Sequence, residues 1–373
     1  MALFIGLISG TSMDGIDAAL VDFALDKAEM VAYQQFPLAD ELRDELRFVY
    51  EKPKNATPEH IARLDVRVGR LFAEAAAELI RQHGATSDMV RAIGSHGQTI
   101  LHRPGGSEPF TLQIGDPNII AELTGITTIA DFRRMDVAAR GQGAPLTPGF
   151  HAHQFHSDEV DRIVLNIGGI ANITVLPADP ASPISGFDTG PGNALLDDWC
   201  HRHHNTPIDR NGEWAKSGAV DQALLAKLLS DPYFHLAPPK STGRDYFNLT
   251  WLDKRLADIT SNIYAENVQA TLVQLAASSI AHAITAHAPA TKQILVCGGG
   301  VHNPILMQAI AYQLPACTVG STSEYGLDPD CVEAVTFAWL AKQRLDAQPA
   351  NVPSVTGAHR AVVLGGVYDA RKR

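Results

Sequence analysis

Cysteine is scarce in this 373-residue chain, and the four present, Cys200, Cys297, Cys317 and Cys331, include no C-x-x-C pair. That spacing speaks against a zinc knuckle or a dithiol redox motif, and reduced, buried thiols are expected instead. Long apolar runs are also missing, since no stretch approaches the roughly 18 residues of a membrane-spanning helix. Positive charge is in deficit: 30 Lys and Arg stand against 41 Asp and Glu, a formal net charge of −11. A nucleic-acid or membrane-surface partner would want a basic face, so neither is expected, although a local basic pocket for a phosphorylated ligand stays open. The opening "MALFIGLISG" is apolar, but it carries no basic leader and reaches Asp14 too soon for a signal peptide. A cytoplasmic protein is expected.

Two nucleotide motifs are absent as well. No G-x-x-x-x-G-K-[ST] occurs, which excludes a P-loop. "GGGVHN" at 298–303 has the first two glycines of G-x-G-x-x-G, but Asn303 replaces the third, and no acid lies at the ribose-binding distance. A Rossmann site is excluded. The histidine clusters "HAHQFH" (151–156) and "HRHHN" (201–205) lack metal-ligand spacing and read as surface or interface histidines. What remains is an ordinary globular balance, 45% apolar and 19% charged, in a chain long enough for two domains.

Strand-like and helix-like segments alternate, which implies an α/β fold. "PEHIARLDVRVGRLFAEAAAELIRQHG" is one amphipathic helix stopped by Gly84, and "MVRAIGSHGQTI" reads as a strand ending in a polar turn. Asp116 and Pro117 begin the next helix, and "TTIADF" is a short strand. From about Gly141 the pattern restarts. "RIVLNIGGIANITVLP" repeats the strand, small-residue turn, strand plan of "IGLISGTSMDGIDAALVDF" at 5–23. Two domains follow, 1–140 with a C-terminal return at about 357–373, and 141–356, with a ligand expected in the cleft between them. A long helix over "NVQATLVQLAASSIAHAITAHA", a helix begun by Asn303 and Pro304, another from Cys331 to Leu345, and a last strand in "AVVLGGVY" complete the pattern.

Three glycine-bearing turns each follow an apolar strand: 10–15, 168–169 and 298–300. Any one of them reads equally as a solvated loop or as a phosphate cradle, in which backbone N–H groups and the Thr11 and Ser12 hydroxyls face an anion that glycine lets approach. Taken together, two hairpins and one strand-to-helix turn match the plan in which paired hairpins clasp the phosphates and the third turn backs the adenosine. A fourth segment, "GFDTGPGNALLDDW" (186–199), sets Asp188 at the end of a short run. Asp188 reads either as an Asp bonded to its own turn or as a general base. For the second reading, Gly190, Pro191 and Gly192 would keep the space beside the carboxylate free of side chains.

"GTSMDGID", "GSHGQT", "ADFRRMDVAARGQGAPL", "LNIGGIAN", "FDTGPGNALLD" and "CGGGVHN" occur in this order in one chain. Together they resemble the anhydro-N-acetylmuramic acid kinases, sugar kinases of bacterial cell-wall recycling, from about residue 5 to the end. The resemblance implies a two-domain actin-like (ribonuclease H-like) sugar kinase fold with an interdomain cleft. It implies ATP and Mg²⁺ as cofactors, a small-molecule sugar as partner, and the 6-phosphate of N-acetylmuramic acid as product, with a homodimer left open. It places ATP at Gly10, Thr11, Ser12, Met13, Asp14, Gly15, Ile16, Asp17, Gly168, Gly169, Gly298, Gly299 and Gly300, and the base at Asp188. Asp14 and Asp17 would hold Mg²⁺ through water, or are ordinary turn acids. Arg133, Glu333 and His96 are similar to the family's substrate contacts. Each has a structural alternative: an ion pair of Arg133 with Asp131 or Asp136, a first-turn helix acid at Glu333, and a satisfied core histidine at His96. Two rival functions stay open at this point, a kinase of another anhydro-sugar and an ATP-dependent clamp on a protein partner.

Overall fold

The computed structural model describes residues 2–10, 13–25, 27–259 and 263–370, and the chain divides into two compact units. The first comprises Met1–Gln154 and Gly326–Arg373, the second Phe155–Tyr325. The expected boundaries at 140/141 and 356/357 thus stand at 154/155 and 325/326, and the helix Val332–Leu345, which carries Glu333, packs with the first unit.

In the first unit the strands β1 (Leu3–Ser9), β2 (Gly15–Asp22) and β3 (Glu29–Pro37) form an antiparallel meander. Strand β4 (Val90–Arg103) lies parallel to β1, and β6 (Thr128–Ala130) parallel to β4, while β5 (Phe110–Ile114) pairs with the far part of β4. The short strand Gly366–Tyr368 closes the edge against β6. In the second unit β7 (Arg162–Ile167), β8 (Ile170–Leu176) and β9 (Ser185–Pro191) repeat the meander. Strands β10 (Gln293–Cys297) and β11 (Thr318–Ser321) then add in parallel beside β7. Both sheets therefore share one order: three meander strands, then two parallel strands on the side of the first. This doubled pattern is the α/β actin-like (ribonuclease H-like) fold implied by the motifs.

Covering layers explain the sequence pattern. Strand β1, "LFIGLIS", is buried along its whole length, as a strand covered on both faces must be. Helix Pro58–Gln82 buries Leu64, Val68, Phe72 and Leu79 against the first sheet, with Thr57 accepting from His60 N–H at its start. In the second unit helix Ala265–His287 lies in the core with Val268, Leu272, Leu275 and Ile280. Gly6 and Gly94 sit opposite one another on β1 and β4. A Cβ on Gly6 would stand 1.7 Å from the Ala334 carbonyl oxygen, and one on Gly94 1.9 Å from that of Phe337. Two glycines in strand interiors, normally weakening, let the helix Val332–Leu345 rest its backbone directly on the sheet.

Three sequence expectations change. "GSHGQT" is not a turn after β4 but part of it. Gly97, with φ +73°, bends the strand and shifts its register, after which pairing resumes at Ser9 and Gln98. In "AVVLGGVY" only Gly366–Tyr368 joins the sheet, because the backbone before it is bonded elsewhere: Val362 N–H donates to Asn351 Oδ1, its carbonyl accepts from Ala350 N–H, and the Gly365 carbonyl accepts from Arg344 Nε–H. The "HAHQFH" histidines are not uniformly surface residues: His151 is fully buried, and desolvation pushes its imidazole down to about 3.

Replacing Gly94 by alanine should cost about 3 kcal/mol, the upper end of overpacking penalties, because a helix carbonyl rather than a flexible side chain blocks the methyl group. Chemical denaturation monitored by circular dichroism checks this. An unchanged transition would show that the helix lifts from the sheet without cost.

Candidate active site

Around Arg133 the first unit builds a chain of fixed contacts. Arg133 follows β6 in the short helix Phe132–Ala138. Its Nε–H donates to His96 Nε2 at 3.0 Å, and its Nη1 donates to the Gly143 carbonyl at 2.8 Å. Because His96 Nε2 accepts, the ring proton sits on Nδ1, which donates to the Gly97 carbonyl at 2.9 Å. Burial, then the neighbouring guanidinium, holds His96 far below its ordinary range and therefore neutral. Its ring packs 4.7 Å from that of Phe337. Both ring nitrogens are spent, so His96 orients Arg133 and has no nitrogen left for a ligand. Desolvation lowers Arg133 to about 10, which leaves it charged at neutral pH.

Neither alternative ion pair of Arg133 forms. Asp131 pairs with Arg134 at 3.3 Å and accepts from Tyr368 O–H at 2.7 Å. Asp136 is wholly buried and accepts from Gly143 N–H (2.7 Å), Asn351 Nδ2 (2.7 Å) and Thr356 O–H (2.8 Å). Three donors compensate a carboxylate that has no salt-bridge partner. The same Gly143 whose N–H is held by Asp136 offers its carbonyl to Arg133, so Asp136 sets the loop that sets the guanidinium.

Glu333 retains accessible surface, yet protein surrounds it closely enough that desolvation raises its carboxyl. Repulsion from Asp17 adds to the rise, and Arg133 opposes it. Asp17, on β2, accepts from Tyr33 O–H (2.6 Å) and Gln35 Nε2 (3.1 Å), and its carboxyl is raised by desolvation and by Asp330 and Asp14. In the first glycine turn, Met13 N–H donates to the Gly10 carbonyl at 3.1 Å, and Met13, at φ +57°, is buried, as is Ile16. Only the backbone of Met13 and Ile16 is available to a nucleotide, Asp14 is exposed, and a Cβ on Gly15 would press on β3 at the Phe36 carbonyl. Thr11 and Ser12 lie outside the described residues.

Ser95, His96 and Gly97 of β4 line a cavity of about 560 Å³ that Ile61, Ala62 and Asp65 of helix Pro58–Gln82 also line. Ser95 Oγ is buried there without a hydrogen-bond partner.

In the second unit the turn at Gly168-Gly169 is tied to a helix. Gly192 N–H and Ala194 N–H donate to the Gly169 carbonyl (2.9 and 3.1 Å), and Asn193 N–H donates to that of Gly168 (2.9 Å), where helix Ala194–His204 begins. Since the peptide is planar and trans, the N–H groups of Gly169 and Ile170 point the other way. A Cβ on Gly168 would stand at ordinary contact distance, 3.6 Å, from the Ile170 carbonyl oxygen. At 298–300 the glycines divide. Cβ atoms on Gly298 and Gly300 would collide with Asn166 and Ile167, whereas Gly299 has nothing within 4 Å.

Asp188 ends β9. Its Oδ2 accepts from Thr242 N–H at 3.0 Å, its N–H donates to the Lys240 carbonyl at 3.2 Å, and its carbonyl accepts from Tyr233 O–H at 2.8 Å. Desolvation raises its carboxyl to about 6 against the pull of the Thr242 bond. The reason given for its open surroundings changes, however. Gly190 and Gly192 are buried packing positions, where Cβ atoms would strike Phe234 and the Gly168 carbonyl. What holds Asp188 is the segment "KSTGR" at 240–244, which carries no motif the sequence reading used. Its signal was the cluster of a lysine, two hydroxyls, a glycine and an arginine in an otherwise undescribed loop.

Among the described residues no three carboxylate, imidazole or thiol groups converge to ligate a metal, and no helix is long and apolar enough to cross a membrane. The sequence model of the anhydro-N-acetylmuramic acid kinase family matches residues 2–370. The protein called anhydro-N-acetylmuramic acid kinase in Xanthomonas axonopodis pv. citri (strain 306) is 52% identical over 371 residues, 99% of this chain and 98% of its own. Those so called in Xylella fastidiosa (strain Temecula1) and Coxiella burnetii (strain Dugway 5J108-111) are 51% and 49% identical, each over 99% of this chain and 96% and 98% of their own.

Exchanging Asp136 for asparagine puts an NH₂ group against three donors. The variant should lose about 3 kcal/mol, as broken buried charge networks do. Urea denaturation reads the loss, and a difference below about 0.5 kcal/mol would mean that Asp136 does not organise the loop.

Proposed function

Because this chain belongs to the anhydro-N-acetylmuramic acid kinase family and is a phosphotransferase, we propose that it uses ATP and Mg²⁺ to open and phosphorylate 1,6-anhydro-N-acetylmuramic acid. The product is N-acetylmuramic acid 6-phosphate, and the setting is cytoplasmic recycling of the cell wall. In the substrate O6 is tied to C1, so there is no 6-hydroxyl to deprotonate. Water attacks C1, the C1–O6 bond breaks, O6 takes the γ-phosphoryl group, and ADP leaves. The proton lost by the water goes to Asp188.

One observation carries this reading: Asp188 is a carboxylate fixed by Thr242 N–H and raised to about 6, a base of useful strength that is still ionised at neutral pH. The rest of the transfer is positioning and charge neutralisation. Backbone N–H groups at Gly10–Asp17 and at Gly168-Gly169 receive the phosphates, and the open face of Gly299 receives the adenosine. Arg133 uses its remaining N–H groups on the lactyl carboxylate, and Glu333 accepts from the sugar hydroxyls. Asp14 and Asp17 fit a hydrated Mg²⁺, since carboxylate oxygens suit that ion and Asp17 is already strained by neighbouring negative charge. When bound, the ion neutralises phosphate charge. The rival clamp reading finds no use for a desolvated, anchored carboxylate at Asp188.

Four measurements test these roles. Because Asp188 must be ionised to act, kcat/KM should fall about tenfold per pH unit below about 6 and level off above it; a flat profile from pH 5 to 7 would remove Asp188 from the base role. Asp188→Asn should lower turnover about 10²–10⁴-fold while still binding Mg-ATP. In ¹⁸O-labelled water, prompt analysis of the wild-type product should find the label at C1, whereas label in phosphate would mean that water attacks ATP. For Arg133, an anhydro-sugar without the lactyl ether should be a far poorer substrate, and equal kcat/KM would assign the chain to another anhydro-sugar.

A further inference from the structure

We infer that Arg244 contacts the phosphoryl group in transfer, as a second charged residue of the reaction beside Asp188; the inference rests on the proposed seating of phosphates at the Gly168-Gly169 turn. Three observations within the second unit carry it. First, the guanidinium lies flush on that turn, since a Cβ added to Gly169 would stand 3.1 Å from Arg244 Nε and 3.4 Å from Nη2. Any larger residue at 169 would push the cation away, so glycine there serves the arginine as well as an approaching phosphate. Second, the loop that carries Arg244 is the one that anchors the base. Thr242, two residues earlier, holds the Asp188 carboxylate, and Asp188 N–H is bonded to Lys240. Phe247, three residues later and fully buried, fixes the other end. Third, the only charged partner of Arg244 among the described residues is Asp198, at 3.5 Å from Nη1, with both side chains partly in water. A pair so long and wet stabilises little, and it leaves most of a five-donor fork free.

An arginine in this position suits a phosphoryl oxygen. Its planar fork matches two oxygens of a phosphate, and a preorganised cation acts most on charge that shifts during transfer. The loop that carries it is anchored through Lys240 and Thr242 on Asp188 and by buried Phe247, so its backbone is set before a phosphate arrives.

Turnover and nucleotide binding test the inference together. Arg244→Ala should lower kcat about 10²–10³-fold, the usual loss for one preorganised donor, with the KM for the sugar within about threefold. Arg244→Lys should recover part of that loss, since it keeps the charge but not the fork. Binding of a non-hydrolysable ATP analogue should weaken in Arg244→Ala while ADP binding stays the same. Asp198→Asn should keep kcat within about threefold, because the ion pair is not the function of Arg244. Melting temperatures equal to wild type show that the variants fold. A kcat for Arg244→Ala within threefold of wild type overturns the inference, as does an equal loss in Asp198→Asn. The turn itself is tested separately with Gly168→Ala, whose methyl group would meet the protein only at ordinary contact distance, 3.6 Å from the Ile170 carbonyl oxygen, and would so obstruct chiefly a phosphate. Weaker ATP binding in that variant upholds the turn whatever Arg244 does. Unchanged ATP binding removes the phosphates from the turn, and with them the role given to Arg244.

Discussion

One close contact organises the first unit: the helix Val332–Leu345 laid backbone-first on paired glycines Gly6 and Gly94. A side chain at either position would lift the helix by more than an ångström. With the helix seated, Phe337 comes under the His96 ring, and Glu333, four residues earlier and so one turn away, comes within electrostatic reach of Arg133 and Asp17. His96 is thereby held neutral with one nitrogen aimed at Arg133. The position of the guanidinium thus depends on two glycines in strand interiors that touch no ligand.

The second unit solves the same problem with a turn instead of a helix face. Carbonyls of Gly168 and Gly169 receive the first N–H groups of helix Ala194–His204, and Gly192 allows the approach because its own Cβ would stand 2.4 Å from the Gly168 carbonyl oxygen. Three helix-end donors that would otherwise lack partners are satisfied by the turn. The exchange leaves that turn with its N–H groups on the side away from the helix. Glycine is needed here for packing between backbones, and the outward direction of the N–H groups follows from it.

Much of this was legible in the sequence, though not for the same reasons throughout. Helix Pro58–Gln82 was readable from its apolar spacing and the stop at Gly84, and helix Pro304–Gln313 from its start signal of Asn303 with Pro304, all of which act locally. The two hairpins were readable because the apolar runs on either side of each turn are buried strands. The continuation of β4 through "GSHGQT" was not, since a bulge at Gly97 and a partner strand at Phe110–Ile114 decide it, and both are tertiary matters. Domain boundaries were misplaced at the C-terminal side because the helix carrying Glu333 belongs to the first unit through contacts some 240 to 330 residues away in the chain. At the site, the sequence singled out Asp188 as a candidate base, and its desolvated carboxylate is supported from 240–244, which only folding brings beside it.

The environment of Asp188 also bears on why a kinase for this substrate would need it. A carboxyl near its ordinary value would be fully ionised at neutral pH and correspondingly weak as a proton acceptor. Raising it to about 6 keeps most molecules ionised at pH 7 and strengthens the base by about two pKa units. Desolvation produces that rise, and the bond from Thr242 N–H limits it. Without the bond the carboxylate would lose both its orientation and part of its ionised fraction at neutral pH. Without the burial it would be an ordinary turn aspartate. The two opposing effects act on one side chain, and under the proposed reaction they would leave it ionised when water arrives and able to keep the proton once the C1–O6 bond has broken.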